Sequence, residues 1–93
     1  MPKIAHAHII VSGRVHGVGF RAFVHRQATN LGLDGWVRNC ADGTVETQVE
    51  GERAVIETFL EQLRKGPTLS RVEAVQVDWT EANRHTKGFL VLK

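Results

Sequence analysis

The chain is 93 residues long, with 42% hydrophobic and 24% charged residues, a composition typical of a folded domain that excludes an intrinsically disordered chain. Its 12 basic and 10 acidic residues leave a net charge of only +2, and the scatter of the basic residues favours a small anionic ligand over a nucleic acid. The single cysteine excludes an intrachain disulfide, and no apolar run approaches the length that spans a membrane.

The first third of the chain predicts a strand, a loop and a helix. Residues 6–12 alternate on a period of two, with apolar side chains on one face, as in a strand. Residues 13–19 contain three glycines and are expected to form a loop. Apolar residues recur at helical spacing over 20–31, and Gly32 can take the left-handed conformation that ends a helix.

Two short strands are predicted next, at 35–39 and 44–50. Residues 41–43 between them end in Asp-Gly, which supplies the positive φ that a hairpin turn needs. The second of these strands alternates valine and threonine with glutamate and glutamine, the pattern of a sheet with one face in water.

The remaining elements are a helix and two strands. An apolar stripe at helical spacing predicts a helix over 52–64. A strand is predicted at 72–79, where the first apolar residues fall out of phase with the later ones, indicating a bulge or a late start. A polar loop at 80–88 then leads to a short last strand at 89–92.

These elements follow the order β-α-β-β-α-β, with a short additional C-terminal strand. Two helices of this kind cover one face of a mostly antiparallel sheet, which is the ferredoxin-like sandwich of the α+β class. No internal repeat or low-complexity segment divides the chain, so we expect a single domain over residues 1–93.

The loop before the first helix has features of an anion site. Its glycines allow several backbone N–H groups to point into one concavity, and the following helix adds its own free N–H groups. Arg21 lies in the first helical turn, where its planar guanidinium can hold two phosphate oxygens. Glycine content alone favours a structural turn, and the spacing matches neither a Walker A loop nor a dinucleotide-binding fingerprint.

Asn39 ends the second predicted strand. Several strand ends of a ferredoxin-like fold gather near the start of the first helix, so this amide is expected to approach Arg21. An amide offers both a donor and an acceptor to a substrate or a water. A turn-initiating asparagine explains the same residue equally well.

Two segments together resemble the signatures of the acylphosphatase family. Residues 13–21, Gly-Arg-Val-His-Gly-Val-Gly-Phe-Arg, resemble the first signature, and residues 35–39, Gly-Trp-Val-Arg-Asn, resemble the second at matching separation. Shorter similarities occur at Gly43-Thr44-Val45, Gly51, Gly66-Pro67 and 88–91. The resemblance therefore covers nearly the whole chain as one acylphosphatase-like domain.

Members of this family are small ferredoxin-like enzymes that hydrolyse the carboxyl–phosphate bond of acyl phosphates without a metal. The resemblance implies that Arg21 binds the phosphate and that Asn39 positions the attacking water. It also implies a phosphate-binding backbone cradle, made by Val15, His16, Gly17, Val18, Gly19 and Phe20. The family more usually has glutamine at the position of His16, which leaves open whether this side chain has a role of its own.

The chemistry of the reaction agrees with these roles. Phosphoryl transfer needs mainly positioning and charge stabilisation, and the two signatures contain neither a Ser/Cys–His pair nor a carboxylate dyad. Because the acyl phosphate has a good leaving group, we hypothesise that the proton of the water passes to a phosphate oxygen of the substrate. A side-chain base would instead produce an inflection in the rate–pH profile.

We expect a cytoplasmic monomer that acts on a small-molecule acyl phosphate and takes phosphate or sulfate in its loop. No metal, cofactor, nucleic acid or membrane is expected as a partner. His6, His8 and His25 are interpreted as polar residues of strand and helix rather than metal ligands. Cys40 is interpreted as a passive small side chain.

Two other functions share part of this pattern. The RNA recognition motif has the same element order, but it stacks bases on aromatic residues of its first and third strands. Neither 6–12 nor 44–50 contains Phe, Tyr or Trp. The second alternative is an acylphosphatase-like domain of a larger carbamoyl-phosphate-using maturation protein, but the chain ends soon after its last predicted strand, so we expect a free-standing enzyme.

Overall fold

The computed structural model describes residues 4–80 and 87–93. In this part of the chain the elements are β1 (Ile4–Arg14), α1 (Phe20–Asn30), β2 (Asp34–Asn39), β3 (Val45–Glu52), α2 (Arg53–Lys65), β4 (Arg71–Thr80) and β5 (Phe89–Val91). Neither described helix is long and apolar enough to cross a membrane. Most of the predicted loop at 80–88 lies outside the described residues.

The strands form one sheet in the order β4-β1-β3-β2-β5. The neighbours β4–β1, β1–β3 and β3–β2 are antiparallel, whereas β5 is parallel to β2 at one edge. With two helices packed on this mostly antiparallel sheet, the fold is the predicted ferredoxin-like α+β sandwich with an added C-terminal strand.

A single apolar core lies between the sheet and the helices. The predicted inner face of β1, formed by Ala7, Ile9 and Val11, has no exposed area. From the helices, Phe20 of α1 and Phe59 of α2 are the largest fully buried side chains. Removing one such side chain from water contributes on the order of 1.5–3 kcal/mol, so the core holds α1 firmly on the sheet.

The phase change in the fourth strand is a β-bulge. Ser12 pairs with Ala74 and Gly13 with Val72, so Glu73 has no partner of its own in β1. The extra residue returns Val72 to the core side, where it packs against the buried cluster. The bulge predicted from the sequence is therefore confirmed, and it lies where β1 leads into the glycine-rich loop.

Most element ends differ from the predicted ones by one or two residues. β1 begins at Ile4 and ends at Arg14 because it pairs with β3 from its first residue and with β4 to its last. Pairing with residues on neighbouring strands determines where a strand ends. The alternation of apolar and polar side chains is weak at the ends, so the sequence pattern does not locate them. Similarly, α2 starts at Arg53, with Glu52 as an N-cap residue whose side chain makes no capping hydrogen bond.

Candidate active site

A pocket of about 460 Å³ opens where the β1–α1 loop meets the ends of β2 and β5. Asn39 borders it from β2, Arg21 from the first turn of α1, and residues 91–93 from the end of β5. Among the described residues that line it there is no aspartate, glutamate, histidine or cysteine. The pocket is therefore suited to an anion and offers no side chain with the pKa of a general base.

Two glycines give the loop its curvature. Gly17 has φ 70° and Gly19 has φ 76° and ψ 23°, both in the left-handed region. A Cβ atom added to either would meet no heavy atom within 4 Å, so the need for glycine comes from the backbone conformation and not from lack of space. Left-handed residues between right-handed or extended ones turn successive N–H groups toward a common concavity.

Apolar side chains anchor this loop to the core. Val15 and Phe20 are each only 1% exposed, and Val18 packs against the core from a half-buried position. No turn or loop hydrogen bond among the described residues is donated by a backbone N–H of residues 16–22. The N-cap residue of α1 is Gly19, which has no side chain to accept a capping hydrogen bond. The first turn of α1 also contains no acidic residue. Within the described residues these N–H groups therefore have no acceptor, which is the condition that an anion site at a helix N-terminus requires.

The six residues of the predicted cradle have different positions. Val15, Gly17, Gly19 and Phe20 border the pocket. His16 is exposed and directs its ring to the turn between β2 and β3, with Nε2 2.8 Å from the carbonyl oxygen of Thr44.

Arg21 is half-buried and is held in place by the end of the sheet. Its Nη1 donates a hydrogen bond to the carbonyl oxygen of Leu92 at 2.8 Å. Leu92 in turn donates its N–H to the carbonyl oxygen of Val37 at 2.8 Å. Sequence reasoning did not anticipate Leu92, because every residue carries a backbone carbonyl and no side-chain pattern identifies this one as the acceptor.

Asn39 pairs with Val45 and shares the inner face of the sheet with Val37. It borders the same pocket as Arg21, so the fold brings the two residues to one place, as the topology predicted. The Asn39 Oδ1 atom is buried and accepts no hydrogen bond from the described residues. An unsatisfied buried acceptor costs about 1–3 kcal/mol of stability. Such atoms are rare in folded proteins, and one that is retained suggests a role other than stabilising the fold.

The turn after β2 does not depend on the Asn39 side chain. It is closed by hydrogen bonds from Cys40 N–H to Thr44 O and from Gly43 N–H to Cys40 O, at 2.9 and 3.1 Å. The Asp42 carboxylate additionally accepts hydrogen bonds from Thr44. Asp42, and not Asn39, therefore provides the side chain that stabilises this turn.

A second group of polar residues lies on the outer face of the sheet, away from the pocket. There, Glu46 contacts His8 and Arg38, each at 2.5 Å, and His6 lies 3.3 Å from Glu50. Burial raises the pKa of Glu46, but hydrogen bonds from His8 and Arg38 outweigh it and hold that pKa below its usual range. Within the described residues, no group of three or more His, Cys, Asp or Glu is arranged to hold a metal ion.

Known proteins are similar to this chain in sequence and in overall fold. The Acylphosphatase family model matches residues 7–91. An acylphosphatase from Thermus thermophilus is 47% identical over 91 residues, which cover 98% of this chain and 99% of that protein. The crystal structure of acylphosphatase from Bacillus subtilis is 36% identical, with a TM-score of 0.93 over 96% of this chain and 99% of that one.

A larger protein also contains a similar domain. In the crystal structure of T. kodakarensis HypF, the matching part is 36% identical in sequence to this chain and superposes on it with a TM-score of 0.84. The match covers 96% of this chain but only 12% of HypF.

Proposed function

The chain belongs to the acylphosphatase family, and we propose that it hydrolyses acyl phosphates, to a carboxylate and inorganic phosphate, in the pocket of the β1–α1 loop. One observation supports this assignment of the site. Arg21 and Asn39 border the same pocket, and the Oδ1 atom of Asn39 is buried without a hydrogen-bond partner among the described residues. An anion-binding group and a water-orienting group are what hydrolysis of a phosphate ester or anhydride requires.

The phosphoryl group of the substrate binds in the backbone cradle. The residues of the cradle are Val15, His16, Gly17, Val18, Gly19 and Phe20. Their N–H groups and the N-terminal dipole of α1 face the phosphate oxygens, and Arg21 adds a positive charge. One Nη1 hydrogen bond of Arg21 goes to Leu92, so the other N–H groups of the guanidinium remain for two phosphate oxygens.

Asn39 orients the attacking water. The Oδ1 atom is buried and unpartnered in this structure. In the proposed reaction the amide must turn so that Oδ1 reaches the pocket, where it accepts a hydrogen bond from the water and aligns the water oxygen with phosphorus. The new bond forms between the water oxygen and phosphorus, and the bond between phosphorus and the acyl oxygen breaks. The acyl group leaves as a carboxylate with the bonding electron pair.

The proton of the water passes to an oxygen of the phosphate itself, so the products are a carboxylate and dihydrogen phosphate. The described residues around the pocket supply no histidine, cysteine or carboxylate side chain that could take this proton. The cradle and Arg21 stabilise the charge on the phosphoryl oxygens in the transition state, and the reaction proceeds without a metal ion.

We further propose that residues 1–93 form one catalytic domain that acts as a monomer in the cytoplasm. The similarity to 12% of T. kodakarensis HypF favours a second candidate, in which such a domain serves within a larger protein. The two differ in their dependence on other domains: a self-sufficient enzyme releases carboxylate and phosphate when the chain acts alone.

The test is hydrolysis of benzoyl phosphate with a chelator present, comparing the parent with Arg21→Gln and Asn39→Ala. Loss of one positioned transition-state donor commonly costs about 10²–10³-fold, and we expect losses of that order for both variants. Arg26→Gln and Asn30→Ala, at exposed positions of α1, serve as matched controls and retain the parent rate.

Each outcome addresses a separate part of the proposal. A parent rate equal to spontaneous hydrolysis would contradict the enzyme activity of the isolated chain. A full rate for Asn39→Ala would remove only the water-positioning role. Activity that is lost with the chelator and restored by a divalent cation would contradict metal independence.

A further inference from the structure

The carbonyl oxygen of Thr44 accepts hydrogen bonds from both parts of the candidate site. Cys40, the residue after Asn39, donates its backbone N–H at 2.9 Å. His16, in the phosphate loop, approaches with Nε2 at 2.8 Å. A carbonyl oxygen has two lone pairs, so it can accept both bonds. One atom thus connects the cradle with the segment that carries Asn39.

Thr44 is itself hydrogen-bonded within the turn. The Asp42 carboxylate accepts hydrogen bonds from the Thr44 backbone N–H at 3.0 Å and from its hydroxyl at 2.6 Å. These two bonds lower the pKa of Asp42, so the carboxylate stays ionised and continues to accept them at neutral pH. Hydrogen bonds within the turn therefore stabilise the segment whose carbonyl binds His16.

We propose that His16 is a positioning residue, which sets the distance between the phosphate cradle and the water-orienting amide of Asn39. This inference rests on the proposed function of those two groups. The His16 ring does not border the pocket, and its Nε2 is engaged with Thr44, so this side chain neither touches the substrate nor takes a proton from the water.

The chemistry of the bond explains why histidine serves here. Thr44 offers a carbonyl acceptor, so Nε2 must carry a proton, and both the neutral Nε2–H tautomer and the imidazolium ion meet this requirement. The link is a single hydrogen bond from the His16 ring to the turn. Its loss lets the loop and the turn move independently, and a misplacement of about 1 Å at a reacting group can reduce a rate by 10²-fold.

The experiment compares His16→Ala, which removes the link, with His16→Gln, whose side-chain amide can donate to the same carbonyl. For His16→Ala we expect kcat for benzoyl phosphate to fall about tenfold or more, while competitive inhibition by inorganic phosphate stays close to that of the parent. The cradle N–H groups and Arg21 remain in this variant, so the ground-state affinity for phosphate persists. His16→Gln restores most of kcat.

A double-mutant cycle with Asp42→Ala separates positioning from a local effect of the histidine. His16→Ala removes the hydrogen bond to Thr44, and Asp42→Ala removes the two hydrogen bonds that hold Thr44 in the turn, so their effects on kcat are expected to be less than additive. The unfolding free energy of each variant is measured beside the rate, and the exposed position of His16 leads us to expect little change for His16→Ala.

The proposal is overturned if His16→Ala keeps the parent kcat, if the alanine and glutamine variants lose activity equally, or if a rate–pH inflection of the parent vanishes in His16→Gln. The last result would identify His16 as a general base. The parent and Asn39→Ala are assayed in parallel. An inactive parent contradicts the proposed function, and a fully active Asn39→Ala removes the water-positioning role of Asn39. An active parent with an impaired Asn39→Ala leaves His16 as the subject of the test.

Discussion

Arg21, in the first turn of α1, donates from Nη1 to the carbonyl oxygen of Leu92 at 2.8 Å, across 71 positions of the chain. Leu92 is bound to β2 through its N–H and the carbonyl oxygen of Val37. The guanidinium is therefore held between a helix and the edge of the sheet. This arrangement orients the fork of the guanidinium before any substrate binds, which reduces the entropy lost on binding.

Arg21→Lys tests this geometry while it keeps the positive charge. A lysine ammonium is a compact charge and cannot bond Leu92 and two phosphate oxygens through one planar group. We expect kcat/KM for benzoyl phosphate to fall by about 10² or more, with weaker inhibition by inorganic phosphate. Arg26→Lys, at an exposed position of the same helix, is the control and keeps both values. An Arg21→Lys enzyme as active as the parent would show that charge alone suffices.

Asn39→Ala is expected to separate stability from activity. The substitution removes a buried oxygen that no described group satisfies, so the free energy of unfolding should stay the same or rise while the rate falls. Thr47→Val is the contrast, because the buried Thr47 hydroxyl donates to the carbonyl oxygen of Trp36 at 2.7 Å. Losing that bond should cost about 0.5–1.5 kcal/mol. Urea denaturation measures both, and a large destabilisation by Asn39→Ala would indicate a structural role instead.

Gly17→Ala and Gly32→Ala form a matched pair. Both glycines have φ 70°, and an added Cβ meets no heavy atom within 4 Å at either position. Each alanine should therefore cost a similar 1–2 kcal/mol or so of left-handed strain. Only Gly17 belongs to the loop, where relief of the strain turns N–H groups away from the phosphate. We expect Gly17→Ala alone to weaken inhibition by inorganic phosphate. Equal losses of inhibition in both variants would mean that general destabilisation is the cause.

The acid stability of the fold is expected to depend on Glu46. Burial raises the pKa of this carboxyl, but hydrogen bonds from His8 and Arg38 bring it below the ordinary value of 4.5. Because the folded-state pKa is depressed, these contacts stabilise the fold above about pH 4.5 and are lost as the pH falls through the folded-state value. Glu46→Gln should flatten the decline in unfolding free energy below this pH.

Glu61→Gln, at an exposed position of α2, is the control for that measurement and should keep the parent's pH dependence. Denaturant unfolding at a series of acidic pH values gives both curves. A Glu46→Gln protein that loses stability with acid as steeply as the parent would mean that other carboxyl groups dominate.

Most of the fold was predictable because its signals are local. Alternation with a period of two indicated β1, and the apolar stripe at helical spacing indicated α2. The phase change in the fourth strand was also visible, since a one-residue insertion shifts the phase of the apolar side chains, but only the pairing with β1 distinguished a bulge at Glu73 from a late strand start. Element ends were less predictable, because the last pairs of a strand depend on residues that are distant in sequence.

The sequence alone predicted the residues of the candidate site: Gly17, Gly19 and Arg21 belong to a motif that indicates a loop followed by a helix start, and the resemblance of the second motif to the family adds Asn39. Only the tertiary structure decided what holds these groups in place. Arg21 reaches Leu92 and His16 reaches Thr44 through backbone carbonyls, and the order of the sheet brings those carbonyls within reach. Since every residue has a carbonyl, such contacts leave no trace in residue type.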